Sequence, residues 1–229
     1  MTEFLLALSA FLAAHVLPAR TGLRSRLAAR FGERTYLLVY SLLSLALLIW
    51  LIGAALRAPL VPLWQTELWH YHFALAVMLP ACMLLVGGAA TANPLSVSFR
   101  SAGYDPSRPG IVGVTRHPLL WGFALWALAH LLANGDLVSL ILFGGFGLFS
   151  LAGMMIVDRR KRRQMGAEWD RLAEPTSALP FGAWFSHPAA RRWRPAGFAV
   201  AVGGGGALYL LLLWLHPRVI GPDPAALLL

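Results

Sequence analysis

Six stretches of this chain, residues 4–19, 36–56, 73–92, 118–135, 137–157 and 196–215, contain no Lys, Arg, Asp or Glu. A helix of about 20 apolar residues crosses the hydrocarbon layer of a bilayer. The second, third, fifth and sixth stretches are long enough outright, the fourth is borderline and the first is short. The rest of the composition agrees. Charged residues make up 13% of the chain and hydrophobic residues 58%, against about 25% charge in a soluble domain. A soluble enzyme and a disordered chain are both excluded, and the single cysteine, Cys82, excludes an internal disulfide and any zinc site built on paired cysteines.

The formal charge of +9 would suit a nucleic-acid partner, but its distribution points elsewhere. Counted loop by loop, Lys and Arg number 5, 1, 3, 0, 9 and 1 after successive stretches. This alternation is the positive-inside pattern of six spans with both termini outside. The expected fold is therefore an all-α, polytopic membrane helix bundle of about six transmembrane helices, taken as a single domain over residues 1–229. Its expected partner is membrane lipid, with no nucleic acid. The N-terminal run lacks the basic flank of a signal peptide, so it is expected to remain as a span. Small-residue clusters at 87–90 and 203–206 suit close helix packing in lipid. The polar segment 158–194 reads as a salt-bridged helix followed by an aromatic piece, 179–185, lying at headgroup level. Asp158 is counted with that solvated face.

Chemistry narrows to the histidines. His187 and His216 read as solvated, and His70 and His72 sit in an aromatic belt beside Trp69 and Tyr71. His15 lies within the first apolar stretch, His117 opens the fourth and His130 lies well inside it. An ionisable group at membrane depth is costly and marks a functional site by default. Neutral imidazoles on separate helices suit haem iron, and Arg20 and Arg116 are candidates to neutralise its propionates. Arg116 and His117 also precede Pro118, a residue suited to the first turn of a helix, at a position fit for an anionic group.

The string Thr115-Arg-His-Pro-Leu-Leu-Trp-Gly-Phe-Ala-Leu-Trp-Ala-Leu-Ala-His130, continuing to Asp136, resembles the NnrU family of bacterial membrane proteins and its relatives, the cis-zeta-carotene isomerases. Three further pieces agree in order: Ala14-His-Val-Leu-Pro-Ala-Arg20, Phe31-Gly-Glu-Arg-Thr-Tyr36, and Asp158-Arg-Arg160 leading to Thr176-Ser-Ala-Leu-Pro-Phe181. The resemblance covers about residues 10–185, with an extra C-terminal transmembrane helix over about 196–215. It implies haem b held by His15 and His130, with Arg20, Arg116, His117, Arg159 and Arg160 near the cofactor. It further implies a place in the bacterial inner membrane, a connection with denitrification and nitric-oxide metabolism, a hydrophobic small molecule or nitric oxide as partner, and isomerase-like chemistry if the chain is an enzyme. A cysteine that the isomerases carry three residues before the second ligand is Ala127 here.

Depth along the helices favours a different pair. At 1.5 Å per residue His130 lies about 20 Å from His117, whereas His15 is about one turn from Arg20, so depth pairs His15 with His117. A second resemblance, of Arg-His-Pro followed by Gly166-Ala-Glu-Trp-Asp-Arg-Leu, is to the isoprenylcysteine carboxyl methyltransferases. It implies S-adenosylmethionine bound near Arg116 and His117. Those enzymes commonly have a tyrosine where this chain has Leu120, and paired glutamates where it has Asp158 and Arg159.

Overall fold

The computed structural model describes residues 1–226, leaving aside the side chains of residues 19 and 20. It is all-helical. In order, the α-helices are α1 (Thr2–Arg20), α2 (Leu23–Phe31), α3 (Glu33–Leu56), α4 (Leu68–Ala90), the single turn α5 (Ile111–Val114), α6 (Pro118–Asn134), α7 (Leu137–Ser139), α8 (Gly145–Met165), α9 (Ala167–Ala173), α10 (Pro195–Ala199) and α11 (Gly205–Val219). Two π-helical turns, Leu140–Gly144 and Val200–Gly204, join α7 to α8 and α10 to α11 without a break. Among the described residues, four helices are long and apolar enough to cross a membrane: α3, α4, the continuous rod Leu137–Met165 and the rod Pro195–Val219. A fifth arises if α1 and α2, bent by 74° at Gly22, make one span, while α6 carries the fourth apolar stretch in 17 residues.

The chain forms two compact units. The first comprises residues 1–63 and 136–142. In it α1 and α3 run antiparallel: at one end Glu3 accepts from Arg57 (2.6 Å) and Trp50 (3.3 Å), and at the other His15 meets Tyr40 edge-on. Each helix buries one face, Phe4 and Ala7 on α1 and Leu51 and Ala54 on α3. The rest of α3 points outward, with Leu38, Leu42 and Ile49 each about 60% exposed. Such a helix, apolar on every side, is at home in hydrocarbon and not in water.

The second unit comprises residues 64–135 and 143–229, and α4 is its centre. A Cβ added at Gly205 would stand 2.5 Å from Met83 Cα, and one at Gly87 would stand 2.9 Å from Ala201 Cβ, so the last rod lies almost backbone to backbone with α4. On its other side α4 meets α6, where a Cβ at Gly88 would stand 3.1 Å from Leu119 N and one at Gly122 would stand 3.1 Å from Ala81 O. The small-residue clusters thus serve close packing, which in lipid supplies the attraction that the hydrophobic effect supplies in water. α8 packs on α6 opposite Ala127 and Leu120. His70, expected in an aromatic belt, is buried and caps α4: its Nδ1 accepts from Glu67 N–H at 2.9 Å while its ring stacks on Trp69.

Candidate functional site

Pro118 starts α6, and the two residues before it are fixed by three other segments. His117 is fully buried, with Nδ1 2.7 Å from Ser96 Oγ and Nε2 2.9 Å from Asp158 Oδ1. The second contact is close, and among the described residues neither Nε2 nor Oδ1 has another hydrogen-bond partner. Arg116 donates to the other carboxylate oxygen of Asp158 at 2.6 Å and to Thr176 Oγ1 at 3.0 Å, and its guanidinium lies over the Trp169 ring.

Main-chain bonds complete the clamp. Arg116 N–H donates to Ser177 O, Phe181 N–H to Val114 O, and both Thr115 Oγ1 and Trp121 Nε1 donate to Ala178 O. Asn93 Nδ2 donates to Arg116 O. Two strings far apart in sequence, 115–121 and 158–181, therefore meet at one point. Asp158 is the correction here. Placed on a solvated face by its spacing, it is instead partly buried and paired with Arg116 and His117. Its neighbours do form exposed pairs, Arg162 with Asp170 and Arg171 with Glu168. Arg159 and Arg160 turn outward beside Ile156, Arg163 and Gln164, lining a shallow crevice of about 510 Å³.

His15 and His130 share a different arrangement. The Nδ1 of His15 lies 2.7 Å from Phe11 O, and that of His130 lies 2.8 Å from Trp126 O, each the carbonyl four residues earlier on its own helix. A carbonyl only accepts, so Nδ1 carries a proton, and in the neutral tautomer that this selects Nε2 holds the lone pair. This is how metal-ligating histidines are held, the second nitrogen anchored to an acceptor. His117, by contrast, has both nitrogens engaged. His15 rests against Phe11 and Tyr40 in the first unit, and His130 against Trp126 and Phe143 in the second. The Arg20 side chain lies outside the described residues. Among the described residues no three His, Cys, Asp or Glu side chains gather as a metal site.

One neighbour escaped the sequence reading. His216, expected in solvent, lies in α11 with its ring centroid 6.3 Å from that of His130 and its own Nδ1 on Pro222 O. Nothing local in the sequence signals this, because it arises from α6 and α11 both packing on α4. Ala127, at the position of the relatives' cysteine, is fully buried and faces Gly147 of α8.

The chain is similar to the chloroplastic 15-cis-zeta-carotene isomerase of Zea mays, 29% identical over 163 residues that make up 66% of this chain and 42% of the maize protein. It is also similar to that of Arabidopsis thaliana, 36% identical over 76 residues, 33% of this chain and 21% of the plant protein. It thus spans less than half the length of these relatives. No solved structure matches. The NnrU protein family matches residues 3–224, which takes in both units and the last helix beyond the 10–185 carried by the motifs, and the chain belongs to that family.

Proposed function

We propose that this chain is a haem b-binding protein of the bacterial cytoplasmic membrane, with His15 and His130 as axial ligands and redox or isomerase chemistry on a hydrophobic small molecule. The observation that carries this reading is the shared anchoring of the two histidines, which leaves Nε2 of each as an uncommitted donor. Haem iron between two imidazoles supplies one-electron chemistry. The protein's own contribution is to fix the tautomer of each ring and to surround His130 with aromatic side chains that keep water away. The similarity to carotene isomerases supports a hydrophobic substrate, and nitric oxide is a small ligand that could compete with a histidine for the metal. Arg116, His117 and Asp158 are tied to one another and to the chain, which favours a fixing role for them over capture of S-adenosylmethionine.

The test is an absorption spectrum of the full chain, purified in detergent from cells supplied with ample haem precursor, oxidised and reduced, with and without nitric oxide. A Soret band is expected, to be lost or shifted by His15→Ala and by His130→Ala. A colourless protein, or a band that moves only with His117→Ala, overturns the ligand assignment.

A further inference from the structure

A second crevice, about 510 Å³ in volume, opens in the second unit where α4 ends and the last rod begins. Its polar lining is basic. Arg100, Arg108 and Arg194 face it with one carboxylate, Asp105. That carboxylate is largely occupied. Its Oδ1 accepts from Ser107 N–H (3.0 Å) and Ser107 Oγ (2.7 Å), leaving Oδ2 in a long 3.4 Å contact with Arg194. Arg100 spends one amino group on Ala90 O, the exposed carbonyl end of α4, which aims the guanidinium toward the crevice mouth and leaves its other donors. The two walls are fixed to each other, since Gly110 N–H donates to Arg192 O. Positive charge in excess on a braced frame is a preformed anion site, and a guanidinium fork matches a phosphate's oxygens two at a time.

The remaining lining is apolar. Trp193, Ile111, Gly197 and Val200 continue the crevice onto the start of the apolar rod Pro195–Val219. A tryptophan at such a place is typical of the headgroup level, and the arginine tally puts this end of the helices on the cytoplasmic side, where anionic lipids lie. A carotene is a hydrocarbon and offers nothing to three arginines, so this crevice serves a purpose separate from the histidines. We propose that it binds the phosphate group of an amphiphile, the arginines taking the anion while Trp193 and the adjoining helix surface take the first methylenes of its tail.

The test uses the full chain and two variant pairs of equal charge loss: Arg108→Gln with Arg194→Gln in the crevice, and Arg26→Gln with Arg34→Gln on exposed positions elsewhere. In one arm, protein taken from mixed phosphatidylglycerol and phosphatidylcholine vesicles into neutral detergent is weighed by native mass spectrometry for retained lipid. In the other, inorganic phosphate is titrated calorimetrically against the detergent-solubilised protein. Phosphatidylglycerol is expected to be retained selectively, about tenfold less by the crevice pair, as loss of charge-assisted hydrogen bonds implies, and undiminished in the control pair. Arg108→Lys, which keeps the charge without the fork, should fall between and guards against a folding defect. Saturable phosphate binding that the crevice pair loses, without lipid retention, would uphold the site with a free anion as its ligand. Indifference of both arms to the crevice pair, or equal loss in both pairs, overturns the proposal.

Discussion

His117 Nε2 and Asp158 Oδ1 lie 2.9 Å apart, joining the first residue before α6 to the basic C-terminal half of α8, with the imidazole wholly out of solvent. The same carboxylate holds Arg116, so one side chain serves Arg116 and His117 together. Removing its charge leaves both behind. Asp158→Asn is expected to destabilise the protein by about 2 kcal/mol, the scale of a lost charge-assisted hydrogen bond in a partly buried site. Thermal unfolding in detergent should fall by roughly 4–8 °C. Asp170→Asn, whose partner Arg162 is 71% exposed, should change stability by no more than about 0.5 kcal/mol.

The last rod offers a test of packing in which two adjacent glycines should behave oppositely. Gly205 faces the backbone of Met83, whereas Gly206 faces open space. Gly205→Ala must push the helices apart and should cost about 1–3 kcal/mol, the usual penalty of overpacking. Gly206→Ala should be neutral or stabilising, because alanine favours the helix by up to about 1 kcal/mol. Parallel melts of the two variants decide it.

If His15 and His130 are metal ligands, each can be replaced by a free imidazole. His15→Gly and His130→Gly should each lose the haem band and regain it when imidazole is added to the buffer. His117→Gly should melt earlier, with no spectral change that imidazole reverses. A His117 variant rescued by imidazole, with His15 and His130 variants indifferent to it, would reverse the assignment.

Hydrogen bonds from Ser107, its hydroxyl first and its backbone N–H second, hold the Asp105 carboxyl below the usual carboxylate range, with Arg194 adding to the effect. A carboxylate depressed in the folded state stabilises the fold above its unfolded pKa of about 3.9, and the contribution vanishes as pH falls through the lower folded value. Hydrogen exchange of the peptide spanning residues 98–110, corrected for intrinsic rate, should therefore be flat from pH 7 to about pH 4.5 and quicken below the carboxylate range. Ser107→Ala should move that quickening to higher pH.

Much of the architecture was legible because lipid imposes a simple rule: a segment without charge for about 20 residues must be a helix. The apolar stretches 36–56, 73–92, 137–157 and 196–215 each fall on a helix or rod long and apolar enough to cross a membrane. The bend at Gly22 was less visible, since Pro18 and the arginines that follow also suit a continuous helix running out of the membrane. Tertiary pairing was the hidden part. Asp158 sits among arginines at helical spacing, and its neighbours do behave as a solvated face; only the approach of α6 to α8 gives it buried partners. The nearness of His216 to His130, 86 residues apart in sequence, arises in the same way from two helices that both pack on α4.

The segment 176–178 is gripped mainly by its carbonyl oxygens: Ser177 O by the Arg116 amide, Ala178 O by Thr115 and Trp121, and Thr176 O by the Arg116 guanidinium, which also reaches the Thr176 hydroxyl. Every amino acid brings the same oxygen to such a grip. Position 178 is thus free to drift toward larger or more polar residues without loosening the clamp, whereas the donors at 115, 116 and 121 have no such liberty, and mutational tolerance should divide along that line.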